Sequence, residues 1–125
     1  MDIWWQLQDG PQSWFAIMGA LAIGHALADY SWQTDFMARA KNRHLAPTHK
    51  DDPIPFLWIY VLSAHAAIHA GLVWIITGCG WLGLAEFVLH WLIDALRIEK
   101  KISFQTDQLC HLLTKVIYVI GLACC

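Results

Sequence analysis

Four apolar stretches of this chain each carry a His paired with an Asp or a second His four positions away. The pairs are His25 with Asp29, His65 with His69, His90 with Asp94, and Asp107 with His111. On an α-helix, residues at that spacing share one face, about 6 Å apart along the axis. Imidazole nitrogen and carboxylate oxygen are ligands for zinc, and iron and manganese accept them as well. A lone His in an apolar helix is more often a packing residue than a ligand. One pair on every stretch is a different signal, and it points to a metal centre built where four helices face one another.

Register arithmetic gives the pairs an order. A turn centred on Lys100 and Lys101 sets Glu86 level with Lys115, His90 with His111, and Asp94 with Asp107. A turn between Thr77 and Gly78 sets His65 level with His90, and His69 with Glu86. Across the longer first connection, Asp29 meets His65 and His25 meets His69. Three layers result. Gln33, Asp94 and Asp107 form the first; Asp29, His65, His90 and His111 the second; His25, His69, Glu86 and Lys115 the third. The second layer reads as a three-His, one-Asp metal set. The outer two either hold a second ion or orient the imidazoles from behind. Glu86 and Lys115 read as a buried ion pair, and Gln33 as a supporting polar group.

The elements that carry these residues are apolar. The 125-residue chain is 58% hydrophobic and 14% charged, with eight Trp. Average proteins are about 25% charged. Mean hydropathy is +0.44. The length fits one domain over residues 1–125. Apolar spans run over about 14–37, 56–77, 80–97 and 104–124, each close to the roughly 20 residues of a membrane-crossing helix. Pro47, Pro53, Pro55 and the "TGCG" run punctuate them. The expected fold is therefore all-α: a polytopic membrane protein, an antiparallel bundle of four transmembrane helices with a polar His/Asp core. A soluble four-helix metalloprotein would need polar outer faces. "IPFLWIYVL" and "LVWIITGCGWLGL" do not provide them.

Charge sets the orientation. Arg39, Lys41, Arg43 and Lys50 lie between the first two spans, and Arg97, Lys100 and Lys101 between the last two. Seven of eight positive charges thus share one side, which the positive-inside rule makes cytoplasmic. Both termini are expected outside a bacterial inner membrane. Trp4, Trp5, Trp14, Trp74 and Trp81 then mark the outer boundary. The polar loop over about 38–55 holds His44 and His49, which read as solvated. The first basic residue is Arg39, so no cleavable signal peptide is expected. Cys79, Cys110, Cys124 and Cys125 form neither a C-x-x-C motif nor the pattern of a disulfide framework. Nothing in the charge balance points to nucleic acid.

The blocks "HALADYSWQTDFMARAK", "HAAIH", "HWLIDALR" and "TDQLCHLL" resemble the bacterial and phage family catalogued as domain of unknown function 3307. The resemblance covers about Gly19 to Leu113 and implies a small multi-pass membrane protein. It implies no defined activity.

Three functions fit these residues. The first is an intramembrane metal-dependent hydrolase holding one or two divalent ions, with zinc favoured and iron or manganese as alternatives. Its metal ligands would come from His25, Asp29, His65, His69, His90, Asp94, Asp107 and His111. Asp94 or Asp107 would be the general base, and a lipid or lipid-linked phosphate the substrate. Arg39, Lys41, Arg97 and Lys101 would face its headgroup. A di-iron oxidative enzyme fits the same ligands nearly as well, with the hydrolase favoured. The second is a proton or metal-ion transporter. Val73, Ile76, Leu82, Val119 and Leu122 close the outer end against such a path. The third is a phage or host membrane interaction protein with a structural polar core. "GALAIGHALA" and "SAHAAIHAG" allow close helix contact, within the chain or in a homo-oligomer.

Overall fold

The computed structural model describes residues 11–46 and 54–125. Its helices are α1 (Pro11–Ala26), α2 (Asp35–Ala40), α3 (Leu57–Thr77), α4 (Gly80–Ile98) and α5 (Phe104–Gly121). A short 3₁₀ turn, Leu122–Cys124, follows α5. Among the described residues there is no strand, and the protein is all-α. Trp4, Trp5, Pro47, His49, Lys50 and Pro53 lie outside the described residues.

Local chemistry places the turns. Gly78 closes α3 at φ 69°, a left-handed conformation that glycine adopts without a Cβ penalty. Its N–H returns to Trp74 O at 2.8 Å, and Thr77 Oγ1 accepts from Cys79 N at 3.1 Å. Lys100, at φ 56°, ends the next helix, and Lys101 N reaches back to Leu96 O. Ser103 then caps α5 by accepting from Thr106 N. α3 packs on α4, α4 on α5, α5 on α1 and α1 on α3, which closes a four-helix bundle. The α3–α4 contact is close. A Cβ added at Gly83 would stand 2.9 Å from Trp74 Cβ and 3.0 Å from the Ala70 carbonyl oxygen.

The first apolar stretch, read above as one span over about 14–37, is not one regular helix. After Ala26 it widens into a π-helical segment, Leu27–Ser31, where Trp32 N donates to Leu27 O at 2.8 Å. Thr34 then caps α2, its side chain accepting from Met37 N. Thr34 and Asp35 are N-cap and first-turn residues, so they start a new helix instead of continuing the old one. π turns are frequent at functional sites, and this one carries Asp29.

The cysteines also differ from the expectation. Cys79 and Cys125 form a disulfide across 46 positions, with Cα atoms 6.2 Å apart. Cys110 is a half-buried thiol and Cys124 an exposed one. The bond depends on the bundle bringing the α3–α4 turn beside the end of α5, which spacing along the chain does not reveal.

Polarity is distributed inside out. His65, His69, Glu86, His90, His111 and Lys115 are all at most 1% exposed. Phe15, Ile23, Ile75, Trp81, Ile117 and Ile120 are between 61% and 80% exposed. α3 and the stretch Phe104–Cys124 are each long and apolar enough to cross a membrane. α4 carries Glu86, Asp94 and Arg97, and the described part of α1 has 16 residues.

Candidate metal centre

The four-residue spacing puts the polar side chains of each helix in one stripe, and the bundle turns all four stripes inward. α1 and its π segment bring His25 and Asp29. α3 brings His65 and His69; α4 brings Glu86, His90 and Asp94; α5 brings Asp107, His111 and Lys115.

Asp29 is the hub. Its Oδ1 lies 3.0 Å from His69 Nε2 and 3.2 Å from His65 Nε2, and its Oδ2 lies 3.2 Å from His25 Nε2. Three sets of side chains have ligand atoms within 4.8 Å of one another: Asp29, His65, His69 and His90; His25, His90 and His111; Asp94, Asp107 and His111. The rings pack tightly. His69 stacks on His90 at 3.7 Å between centroids, and His90 on His111 at 4.2 Å.

Hydrogen bonding accounts for only part of this cluster. Both ring nitrogens of His25 and of His65, together with His90 Nε2, Asp107 Oδ1 and His111 Nδ1, are buried without a hydrogen-bond partner. His25 Nε2 and His65 Nε2 approach Asp29 but are out of line for hydrogen bonds. Leaving a buried polar atom unmatched costs about 1–3 kcal/mol. Imidazoles and carboxylates converging on common points, with their lone pairs otherwise unused, are a donor set that can hold a metal ion.

Neighbouring groups hold the donors in place. His90 Nδ1 is 3.1 Å from Glu86 Oε1, while Lys115 Nζ and the Tyr118 hydroxyl also donate to Glu86, at 2.5 and 2.8 Å. A carboxylate so placed can accept a proton from His90 Nδ1, which leaves Nε2 with a lone pair that could coordinate an ion. Gln108 Nε2 reaches Asp107 Oδ2 at 3.0 Å and Asp29 Oδ2 at 3.4 Å, and its own Oε1 accepts from the Tyr30 hydroxyl. Gln33 Nε2 donates to the Asp29 carbonyl at 3.2 Å.

One end of the cluster is open and the other closed. A pocket of about 180 Å³ reaches Asp29, Gln33, Asp94 and Asp107, with Lys41 and Arg97 at its rim and Ile98 and Phe104 on its wall. Lys41 Nζ donates to Asp94 Oδ2 at 2.7 Å. At the far end, Ile17, Leu21, Val73 and Tyr118 form an apolar core, packed with Ile76, Leu82, Val119 and Leu122.

Sequence register and structure agree on some neighbours and differ on others. Glu86 meets Lys115, His90 meets His111, and Asp94 and Asp107 share His111. The set around Asp29, however, takes His69 in place of His111. One carboxylate oxygen sits between the two α3 rings, so both join it despite their different depths. Gln108, Tyr118 and the Lys41–Asp94 contact were not anticipated. Gln108 is a polar residue beside Asp107 in an apolar helix, and Tyr118 follows Lys115 at helical spacing. Both signals were present in the sequence.

A helical bundle with a buried His/Asp cluster capable of holding metal is thus the class that fold and site define. The model of the family described as "Protein of unknown function (DUF3307)" matches residues 17–124, and the chain belongs to that family. The match includes every residue of the cluster from His25 to Lys115. No curated protein and no solved structure matches the chain.

Proposed function

We propose that this protein is a four-span membrane metalloenzyme, a hydrolase that acts on a lipid or lipid-linked phosphate at the cytoplasmic leaflet. The observation that carries the reading is the convergence of unpartnered imidazole nitrogens and carboxylate oxygens beside a pocket with a basic rim. Membrane insertion is supported by the inside-out polarity, since lipid favours an apolar surface and requires buried charges to be compensated. Orientation is supported from both ends. Arg39, Lys41, Arg43, Arg97, Lys100 and Lys101 gather at one end. The Cys79–Cys125 disulfide and the exposed Trp74 and Trp81 mark the other, as an oxidising exterior favours.

A bound divalent ion, with zinc favoured by the His-rich set, supplies Lewis acidity and brings the pKa of its water to about 7. The chain does the rest. Lys41 and Arg97 attract an anionic headgroup to the pocket rim, while Ile98 and Phe104 flank its apolar part. Asp107 lines the pocket, and its carboxylate, whose Oδ1 has no hydrogen-bond partner, would serve either as general base toward the attacking water or as a ligand of a second ion. Gln108 keeps that carboxylate oriented through its other oxygen. The apolar core at the far end separates the site from the opposite side, which favours an enzyme over a conduit.

Metal analysis of detergent-purified protein tests the proposal, alongside His65→Ala and His90→Ala. Stoichiometric metal in the wild type, lost in both variants, is expected, together with phosphate release from a phospholipid or polyprenyl phosphate. Stable wild-type protein without metal would instead make the polar core structural.

A further inference from the structure

Asp94, Asp107 and His111 form a second set of ligand atoms beside the one around Asp29, and all three are buried. His111 Nε2 faces both carboxylates, at 3.2 Å from Asp94 Oδ1 and 3.6 Å from Asp107 Oδ1. Asp107 is 5% exposed, and its Oδ1 points at that ring with no hydrogen-bond partner, while Gln108 takes up its Oδ2. Asp94 and Asp107 line the pocket, as Asp29 of the first set also does. The second set adjoins the first: Asp94 Oδ2 lies 3.6 Å from His65 Nε2.

One feature distinguishes the two sets. Lys41 projects from the end of α2 and places its ammonium 2.7 Å from Asp94 Oδ2, a positive charge already at the mouth of the second set. Among the described residues, Asp29 makes no hydrogen bond or ion pair with a lysine or arginine. Two cations cannot both sit against Asp94 without repulsion, and a chain ammonium is tethered where a free ion is not.

We propose that Asp94, Asp107 and His111 form a second divalent-cation site, weaker and more exchangeable than the first, with the Lys41 ammonium as its built-in competitor for Asp94. The inference rests on the reading that Asp29, His65, His69 and His90 hold the first ion. Two adjacent ions held by such ligands would clamp the attacking and leaving oxygens of a phosphate ester. An exchangeable second ion beside the pocket would make occupancy, and so turnover, depend on the free cation concentration. Lys41, released from Asp94 when the ion binds, becomes available to the substrate's anionic group.

Equilibrium dialysis of the full chain in detergent against zinc, and separately against manganese, tests this without reference to activity. The wild type should bind two ions per chain with separable affinities. Asp107→Asn should retain only the tighter ion, and His69→Ala should weaken the tighter one. Lys41→Met should bind the second ion about tenfold more tightly, because a competing like charge a few ångströms away is gone. A misfolded variant cannot produce that gain. One ion in the wild type, unaffected by Asp107→Asn and Lys41→Met, would overturn the second site and leave the first standing. Loss of all metal in Asp107→Asn, with the Cys79–Cys125 disulfide intact, would mean a single shared site and would also overturn it. No ion in the wild type would overturn both readings.

Discussion

The imidazoles of His69 and His90 stack with centroids 3.7 Å apart and planes 24° apart, bringing α3 and α4 together through two rings of the same kind. Two cationic rings repel at that distance, whereas neutral imidazole is the form that ligates metal. Protons would therefore compete with a metal ion for this cluster. Metal content is expected to hold near pH 7.5 and to fall on acidification to about pH 5, with thermal stability falling beside it. Measuring bound metal and the unfolding temperature across that range checks the expectation. Full retention of metal at the acid end would show that the imidazoles are not the ligands.

Glu86 and Lys115 provide a separate test. Both are at most 1% exposed, and Glu86 also accepts from Tyr118 and faces His90. Removing one partner strands a buried charge, at a cost of about 3–5 kcal/mol, while replacing both is far milder. Lys115→Met and Glu86→Gln should each destabilise strongly, and the double variant should recover much of the loss. Glu86→Gln should also weaken metal binding, because His90 loses the carboxylate that holds its ring. A double-mutant cycle in detergent, read by denaturation and by metal affinity, would expose additive effects if the pair were uncoupled.

The Cys79–Cys125 bond predicts a thiol count. Alkylation of the oxidised protein should label two cysteines, Cys110 and Cys124, and all four after reduction. Breaking the bond with Cys79→Ser should cost roughly 2–4 kcal/mol, in line with a closed loop of this size. Labelling of four thiols in protein taken from a native membrane without reductant would contradict the pairing.

At the opposite end, Arg43 clasps Glu99 through two hydrogen bonds of 2.6 and 2.7 Å. The guanidinium holds the Glu99 carboxyl below its ordinary range, and Glu99 in turn pushes Arg43 up. A carboxylate with a lowered folded-state value contributes its stability above the unfolded value. That contribution disappears as pH falls through the folded value. The clasp should therefore persist through the acidification that removes metal, and open only in stronger acid. Amide exchange over residues 41–46, in wild type and Glu99→Gln, would register this. Equal exchange in the two proteins at neutral pH would mean that the clasp does not order the loop. Arg43 is exposed and Glu99 half-buried at the surface, so added salt should weaken the clasp.

Much of this architecture is legible in the amino acids themselves. Apolar runs separated by Gly78 and by the Lys100–Lys101 turn locate α3, α4 and α5. The i, i+4 pairs identify the inward stripes, because helical geometry makes that spacing a shared face. Short connections make Glu86 opposite Lys115 readable from register. Three features escape such reasoning. The π segment depends on one extra residue in a turn, which composition does not announce. The Cys79–Cys125 bond joins helix ends that only the packed bundle brings near. The membership of His69 in the Asp29 set depends on where one carboxylate points, and the long first connection does not fix that.

Gly83 bears on where this molecule can open. With Trp74 Cβ and the Ala70 carbonyl oxygen 2.9 and 3.0 Å from where a side chain would begin, closer than an ordinary contact, the α3–α4 hairpin is a fixed ruler. His65, His69, Glu86 and His90 ride on that ruler and keep their spacing. Breathing that admits a ligand must then come from the partners facing the hairpin. α1, with its π segment, and α5 are the helices packed against the hairpin, so any such movement falls to them.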